Sequence, residues 1–257
     1  MKFLKSTLTI LFIALLFCCK NENKTPDNGE TDKETEERIS SVKVIPISHG
    51  TLILETESDV IYVDPTGGAK AFNGQKAPTI VLVTDIHGDH LNLKTLKALN
   101  LNEVPLVAPK AVADKIQDSI SATINVLNNG ESTTINAIEI EAIPMYNLRE
   151  EALKFHPKGR GNGYVLNMAG ERVYISGDTE DIPEMRSLKD IDKAFVCMNL
   201  PYTMTVQSAA DAVLEFKPET VYPYHYRGSD SISDVNLFKK IVNEGNDSIE
   251  VLLLEWY

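Results

Sequence analysis

The stretch Thr84-Asp-Ile-His-Gly-Asp-His90, TDIHGDH, decides how the rest of the chain is read. It follows the apolar run Thr79-Ile-Val-Leu-Val83, whose β-branched residues predict a strand, and it packs two histidines and two aspartates into positions 85–90. If the chain stays extended beyond Val83, Asp85 and His87 share a face at i and i+2, and a tight turn at Gly88 brings Asp89 and His90 round beside them. Carboxylates and imidazoles converging in pairs suit a divalent transition metal, and two adjacent pairs suit two ions about 3.5 to 4 Å apart. A polar turn capping the next helix, with Asp89 or Asn92 as N-cap, accounts for one aspartate and leaves both histidines unexplained. The spacing is not that of an EF-hand, whose glycine and closing glutamate stand elsewhere.

Working outward, the same arrangement recurs. Ile61-Tyr-Val-Asp64-Pro65 and Tyr174-Ile-Ser-Gly-Asp178-Thr179 each end a β-run in an aspartate, and PETVYPYH ends another at His225. One sheet edge would gather all of these side chains. Taken singly, Asp64 and Asp178 also read as turn residues and His225 as a satisfied buried histidine. Further strands are predicted in VKVIPI, TLILET and DVIYVD, near Leu106, Ile124, Ile138, Tyr164 and Val173, and in the closing IEVLLLEW. LNLKTLKALN predicts a short helix. A longer amphipathic helix starts at Thr205 as N-cap, with Val206, Ala209, Ala210, Val213 and Leu214 on one side. Strands and helices mix in both halves, which indicates an α/β or α+β class.

The 257 residues and a 43% hydrophobic composition suit one ordinary domain with a real core. A formal charge of -12 gives no basic footprint for nucleic acid. Lys2, Lys5 and the apolar stretch Leu8 to Phe17 predict a signal segment over 1–19 that stops at Cys18-Cys19. Leu16 and the small Cys18 before it make Cys19 the expected lipid acceptor, and the expected location is the cell envelope, on the periplasmic face or the outer membrane. Residues 20–40 are polar and read as a tether, with the globular domain at 41–257. Cys197, in the apolar run KAFVCMN, reads as a core residue without a disulfide partner.

The ordered set D, D-x-H-x-D-H, G-D-T, H resembles the metallo-β-lactamase fold superfamily from about Val42 to Tyr257. SHGTLILET, TDIHGDHLN, GNGYVL and VYPYHYR look most like the branch around L-ascorbate-6-phosphate lactonase and N-acylphosphatidylethanolamine phospholipase D. The resemblance implies an αββα four-layer sandwich carrying one or two divalent ions, Zn, Mn or Fe, at one edge. It implies that Asp89, His90 and His225 ligate one ion, Asp85 and His87 the other, with Asp178 bridging and Asp64 fixing a ligand imidazole. Catalysis would fall to Asp89, Asp178 and His225 around a metal-activated water, acting on a small ester, lactone or phosphodiester. The chain departs from the pattern twice. Asp85 stands for the first histidine of the motif, and Asn147 for the histidine after the strand Ile138–Pro144, with His156 placed either to replace it or to contact substrate. His49, Arg160, Arg227 and Tyr224 are the remaining candidates for substrate contact. In GNGYVL, Gly161 and Gly163 are expected to serve close backbone approach or positive φ. The alternative to an enzyme is a catalytically silent metal-containing binding lipoprotein.

Overall fold

The computed structural model describes residues 40–229 and 231–257. The expected leader, Cys19 and the tether short of Ser40 lie outside the described residues. The strands form two sheets. The first runs in chain order: β1 (Lys43–Ser48), β2 (Thr51–Glu55), β3 (Val60–Val63), β4 (Ile80–Leu82), β5 (Pro105–Ala108) and β6 (Thr123–Val126). The second holds β7 (Ser132–Ile135), β8 (Ile138–Met145), β9 (Gly161–Met168), β10 (Glu171–Ile175), β11 (Lys193–Cys197), β12 (Thr220–Tyr224) and β13 (Glu250–Val251), again side by side in sequence order. Each sheet begins antiparallel and finishes parallel, from β3 in the first and from β10 in the second. The parallel neighbours leave their C-terminal ends on a common edge, where loops can converge.

The continuous apolar runs follow from burial on both faces. Leu52, Leu54, Ile61, Val63, Ile80 and Leu82 meet Ile140, Ala142, Tyr164, Leu166, Val173 and Ile175 of the second sheet in the central core. The alternate residues Ile53, Tyr62, Val81 and Val83 face the other way, onto α1 (Leu93–Ala98) and α2 (Lys110–Ile116) through Leu96, Val112 and Ile116. On the far side, α4 (Val206–Phe216) and α5 (Val235–Gly245) add Ala209, Val213, Phe238 and Val242 to the second sheet's core, beside the single turn α3 (Pro183–Arg186). The layers are therefore helix, sheet, sheet, helix.

Local chemistry sets the boundaries. Asn92 caps α1 by accepting the Thr95 N–H at 2.9 Å, and Thr205 caps α4 through the Ser208 N–H at 3.0 Å. The closing strand is shorter than IEVLLLEW suggests. Only Glu250 and Val251 pair with β12, and the rest of the chain turns away, so that the Trp256 carbonyl accepts the His49 N–H at 3.2 Å. The first described residues are pinned by Glu171, whose carboxylate accepts the backbone N–H groups of Ser41 at 2.6 Å and Val42 at 3.1 Å and pairs with the buried Lys193.

Candidate metal centre

The strand ends deliver the ligand-type side chains. Asp64 leaves β3 in the left-handed region at φ 45°, and its fully buried carboxylate turns onto the chain beyond β4. One oxygen accepts the Thr84 N–H at 2.7 Å; the other accepts the Thr84 hydroxyl at 2.6 Å and His90 Nδ1–H at 2.7 Å. With Nδ1–H held by Asp64, Nε2 is the His90 nitrogen aimed outward, available to an ion that displaces its proton. There it meets His225 Nε2 at 3.1 Å and the Asp178 carboxylate at 3.4 Å. His225, in the left-handed region at φ 45° after β12, also approaches Asp178 at 3.3 Å and Asp89 at 3.4 Å. Asp178 follows β10 through Gly177, whose φ of 60° suits glycine.

These groups form a small, strongly charged cluster. Burial opposes a charge on Asp178, yet the imidazoles of His225 and His90 outweigh it and hold the carboxyl well below its usual range. Burial likewise opposes charging of His90, and the carboxylates of Asp178 and Asp64 overcome it, raising its pKa well above the ordinary value. For Asp89 too burial is overridden, here by the hydrogen bonds of His225 and His49, and its pKa falls. A field that draws a proton onto the buried imidazole of His90 also draws a divalent cation. The β1–β2 turn, His49-Gly50, closes over the cluster. His49 lies tilted against His225 with ring centres 3.9 Å apart and reaches Asp89 at 3.3 Å, and a Cβ on Gly50 would lie 2.9 Å from the His225 ring.

A second group lies alongside: Asp85, His87 and His156. His156 arrives on the loop after β8, which closes through the Asn147 N–H to the His156 carbonyl at 2.9 Å. Asn147, expected as a weak ligand in place of the missing histidine, organises this loop. Its amide Nδ2 donates to the carbonyls of Ala152 at 2.9 Å and Tyr202 at 2.7 Å, while its Oδ1 is buried without a hydrogen-bond partner. With both amide protons committed, His156 Nδ1 donates to the Tyr202 carbonyl at 3.2 Å, and its buried Nε2 lies unpartnered 3.2 Å from Asp178. The imidazole that joins the acidic cluster here is His156. A cavity of about 280 Å³ opens over both groups, lined by His87, Asp89, Phe155, His156, Asp178, Asn199 and Tyr202.

A profile of the β-lactamase superfamily domain matches residues 44–225. The chain belongs to the metallo-β-lactamase superfamily. Among its relatives, a Parabacteroides distasonis protein described as a metal-dependent hydrolase superposes with a TM-score of 0.74 at 38% identity, over 84% of this chain and 94% of the other. The UPF0173 metal-dependent hydrolase of Pyrococcus abyssi is 28% identical over 224 residues, 83% of this chain and 96% of the relative. A metallo hydrolase of Ignicoccus hospitalis shares the fold, with a TM-score of 0.67 at 20% identity over 84% of this chain and 96% of that one.

For a superfamily member the first group is a chemically coherent metal site. The Nε2 atoms of His90 and His225 converge on the Asp178 carboxylate, one Asp178 oxygen is buried without a hydrogen-bond partner, and Asp89 stands at the mouth. Two of the residues expected at the substrate lie elsewhere. Tyr224 is fully buried, because it alternates with His225 across the strand end, and its hydroxyl accepts the Gly177 N–H at 3.0 Å. Arg227 lies outside the cavity lining and stacks on the Tyr257 ring at 4.1 Å. Arg160 points inward but meets Asp85. Gly161 and Gly163 serve close approach: a Cβ on Gly163 would stand 2.8 Å from the Ser176 carbonyl oxygen. Sequence reasoning missed the roles of Thr84, Phe155 and Asn199, although Thr84 opens the TDIHGDH stretch and Phe155 precedes His156.

Proposed function

We propose that this protein is a metal-dependent hydrolase of a small ester, lactone or phosphodiester, tethered at the cell envelope through Cys19. The observation that carries the reaction class is the meeting of His90 Nε2, His225 Nε2 and Asp178 within 3.1–3.4 Å beneath a cavity of about 280 Å³. His90, His225, Asp178 and Asp89 would hold a divalent ion, which when bound supplies Lewis acidity and lowers the pKa of water towards about 7. The donor set suits Zn, Mn or Fe.

The chain's own groups supply the rest. Asp64 and Thr84 hold His90 in the tautomer with Nε2 free. Asp178, flanked by the His90 and His225 imidazoles at 3.3–3.4 Å and held ionised by them, serves as a fixed anion and not as a mobile base. His156, with its Nδ1 proton spent on the Tyr202 carbonyl, presents Nε2 at the cavity wall and is placed to accept a proton there. Phe155 and Tyr202, edge to face at 5.0 Å, form an aromatic wall that orients an apolar part of the substrate. The envelope location rests on the N-terminal pattern of Lys2, Lys5, Leu8–Phe17 and Cys19. A purely structural metal would have its donors closed away from solvent, whereas Asp89 and Asp178 line the cavity.

The test is hydrolysis of a panel of aryl esters, lactones and phosphodiesters by metal-depleted and metal-restored protein. Activity should return with metal and be absent in Asp178→Asn, whose circular dichroism should match the parent. Equal turnover in that variant would sink the mechanism.

A further inference from the structure

The second group carries a feature that a two-metal centre does not predict. Asp85 is wholly buried, and both of its oxygens are already engaged. Arg160 Nε donates to Oδ1 at 3.1 Å, and Arg160 Nη2 donates to Oδ2 at 2.9 Å, the bidentate fork that guanidinium and carboxylate share. His87 Nδ1 adds a third contact to Oδ2 at 2.9 Å. The same Nη2 lies 3.4 Å from His87 Nε2 and donates to the Phe155 carbonyl. One nitrogen of Arg160 thus spans the carboxylate and the imidazole that an ion at this position would share.

The donor chemistry agrees with the geometry. Where the superfamily resemblance expects a neutral histidine, this chain has a fully buried aspartate, and a half-buried guanidinium is the cation that offsets its charge. Asp85 and Arg160 are 75 positions apart in the chain and complementary in charge. Arg160 is permanently charged, so the position carries a fixed cation that no chelator removes.

We propose that Arg160 is a resident cation standing in place of a second metal ion, so that the centre holds a single divalent ion at His90, Asp178 and His225. The inference rests on the metal-hydrolase reading above and specifies its metal count. His156 is then the one imidazole of its group that Arg160 leaves free.

The test is metal stoichiometry by elemental analysis of the untagged full chain, depleted with chelator and reloaded with Zn or Mn. The wild type should bind about one equivalent. Arg160→Lys, which keeps a cation, should also stay at about one. The double variant Asp85→His, Arg160→Met removes both charges together, avoids stranding a buried carboxylate, and should bind about two. Its thermal unfolding is followed in parallel to establish that it is folded. Two equivalents in the wild type would overturn the proposal while leaving the hydrolase reading intact. One equivalent in a folded double variant would also overturn it, since Arg160 would not be what keeps the second ion out. No binding by the wild type would overturn both readings.

Discussion

Replacing Asp64 with asparagine changes one atom in a site with no room for compensation. The carboxylate is fully buried and accepts three hydrogen bonds, from the Thr84 N–H, the Thr84 hydroxyl and His90 Nδ1–H, at 2.6–2.7 Å. An amide NH2 on the first oxygen would face the Thr84 N–H, donor against donor. On the second oxygen it would face His90. Either arrangement strands a buried donor, at a cost of about 1–3 kcal/mol. In the second, His90 escapes only by moving its proton to Nε2, the nitrogen that faces His225 and Asp178, and so loses its lone pair for the metal. Losing a carboxylate that orients a ligand imidazole typically lowers metal affinity about 10–100-fold, or roughly 1.4–2.7 kcal/mol. Competition against a chromophoric chelator reads the affinity. Unfolding of the metal-free protein reads the stability term, expected at roughly 2–4 °C per kcal/mol. Thr84→Val, which removes one hydroxyl and leaves the carboxylate, should weaken binding less. Affinity for metal within about threefold of wild type in Asp64→Asn would refute the claim that this carboxylate sets the tautomer of His90.

Three further outcomes are expected. Glu171→Ala strands the buried Lys193 and frees the Ser41 and Val42 amides, and should cost about 3–5 kcal/mol in denaturant unfolding at neutral pH. Burial opposes the charge on Glu171, but Lys193 outweighs it and depresses the folded-state pKa. Its contribution is therefore complete above the unfolded value of about 4.3 and is lost as pH falls through the lower folded value, so wild type and variant should converge in acid. Gly163→Ala drives a methyl into the carbonyls of Ile175 and Ser176, which are backbone and cannot swing aside; about 1–3 kcal/mol of stability should be lost, with weaker metal binding because Asp178 lies just beyond. The Cys197 thiol is fully buried and burial pushes its pKa up to about 12, so a thiol reagent at neutral pH should label it only as fast as the protein unfolds.

Much of the architecture is legible in the sequence because both sheets are covered on both faces. Runs such as TLIL, VIYV and IVLV then read as strands from composition alone, and Asp64, Asp178 and His225 stand out where those runs stop. The roles of His156 and Arg160 were not legible. Both depend on a loop folded by Asn147, and the partners of Arg160 lie 75 and 73 positions away in the chain. Tyr224 is expected as a tyrosine that meets substrate, whereas it alternates with His225 at the strand end and faces the buried side. IEVLLLEW was over-extended because its apolar run fits a strand, but β12 offers register partners only at Thr220 and Val221. The helix α5 went unread although Asp234 caps it, accepting from Asn236 and Leu237, and Phe238 and Val242 mark its buried face at i, i+4.

The most direct test is anomalous diffraction at the Zn or Mn edge from crystals of the metal-loaded protein. The account predicts one peak bounded by His90, Asp178 and His225, with Asp89 at its open side and none between Asp85 and His87. A crystal loaded under the same conditions with no peak at His90, Asp178 and His225 would contradict it.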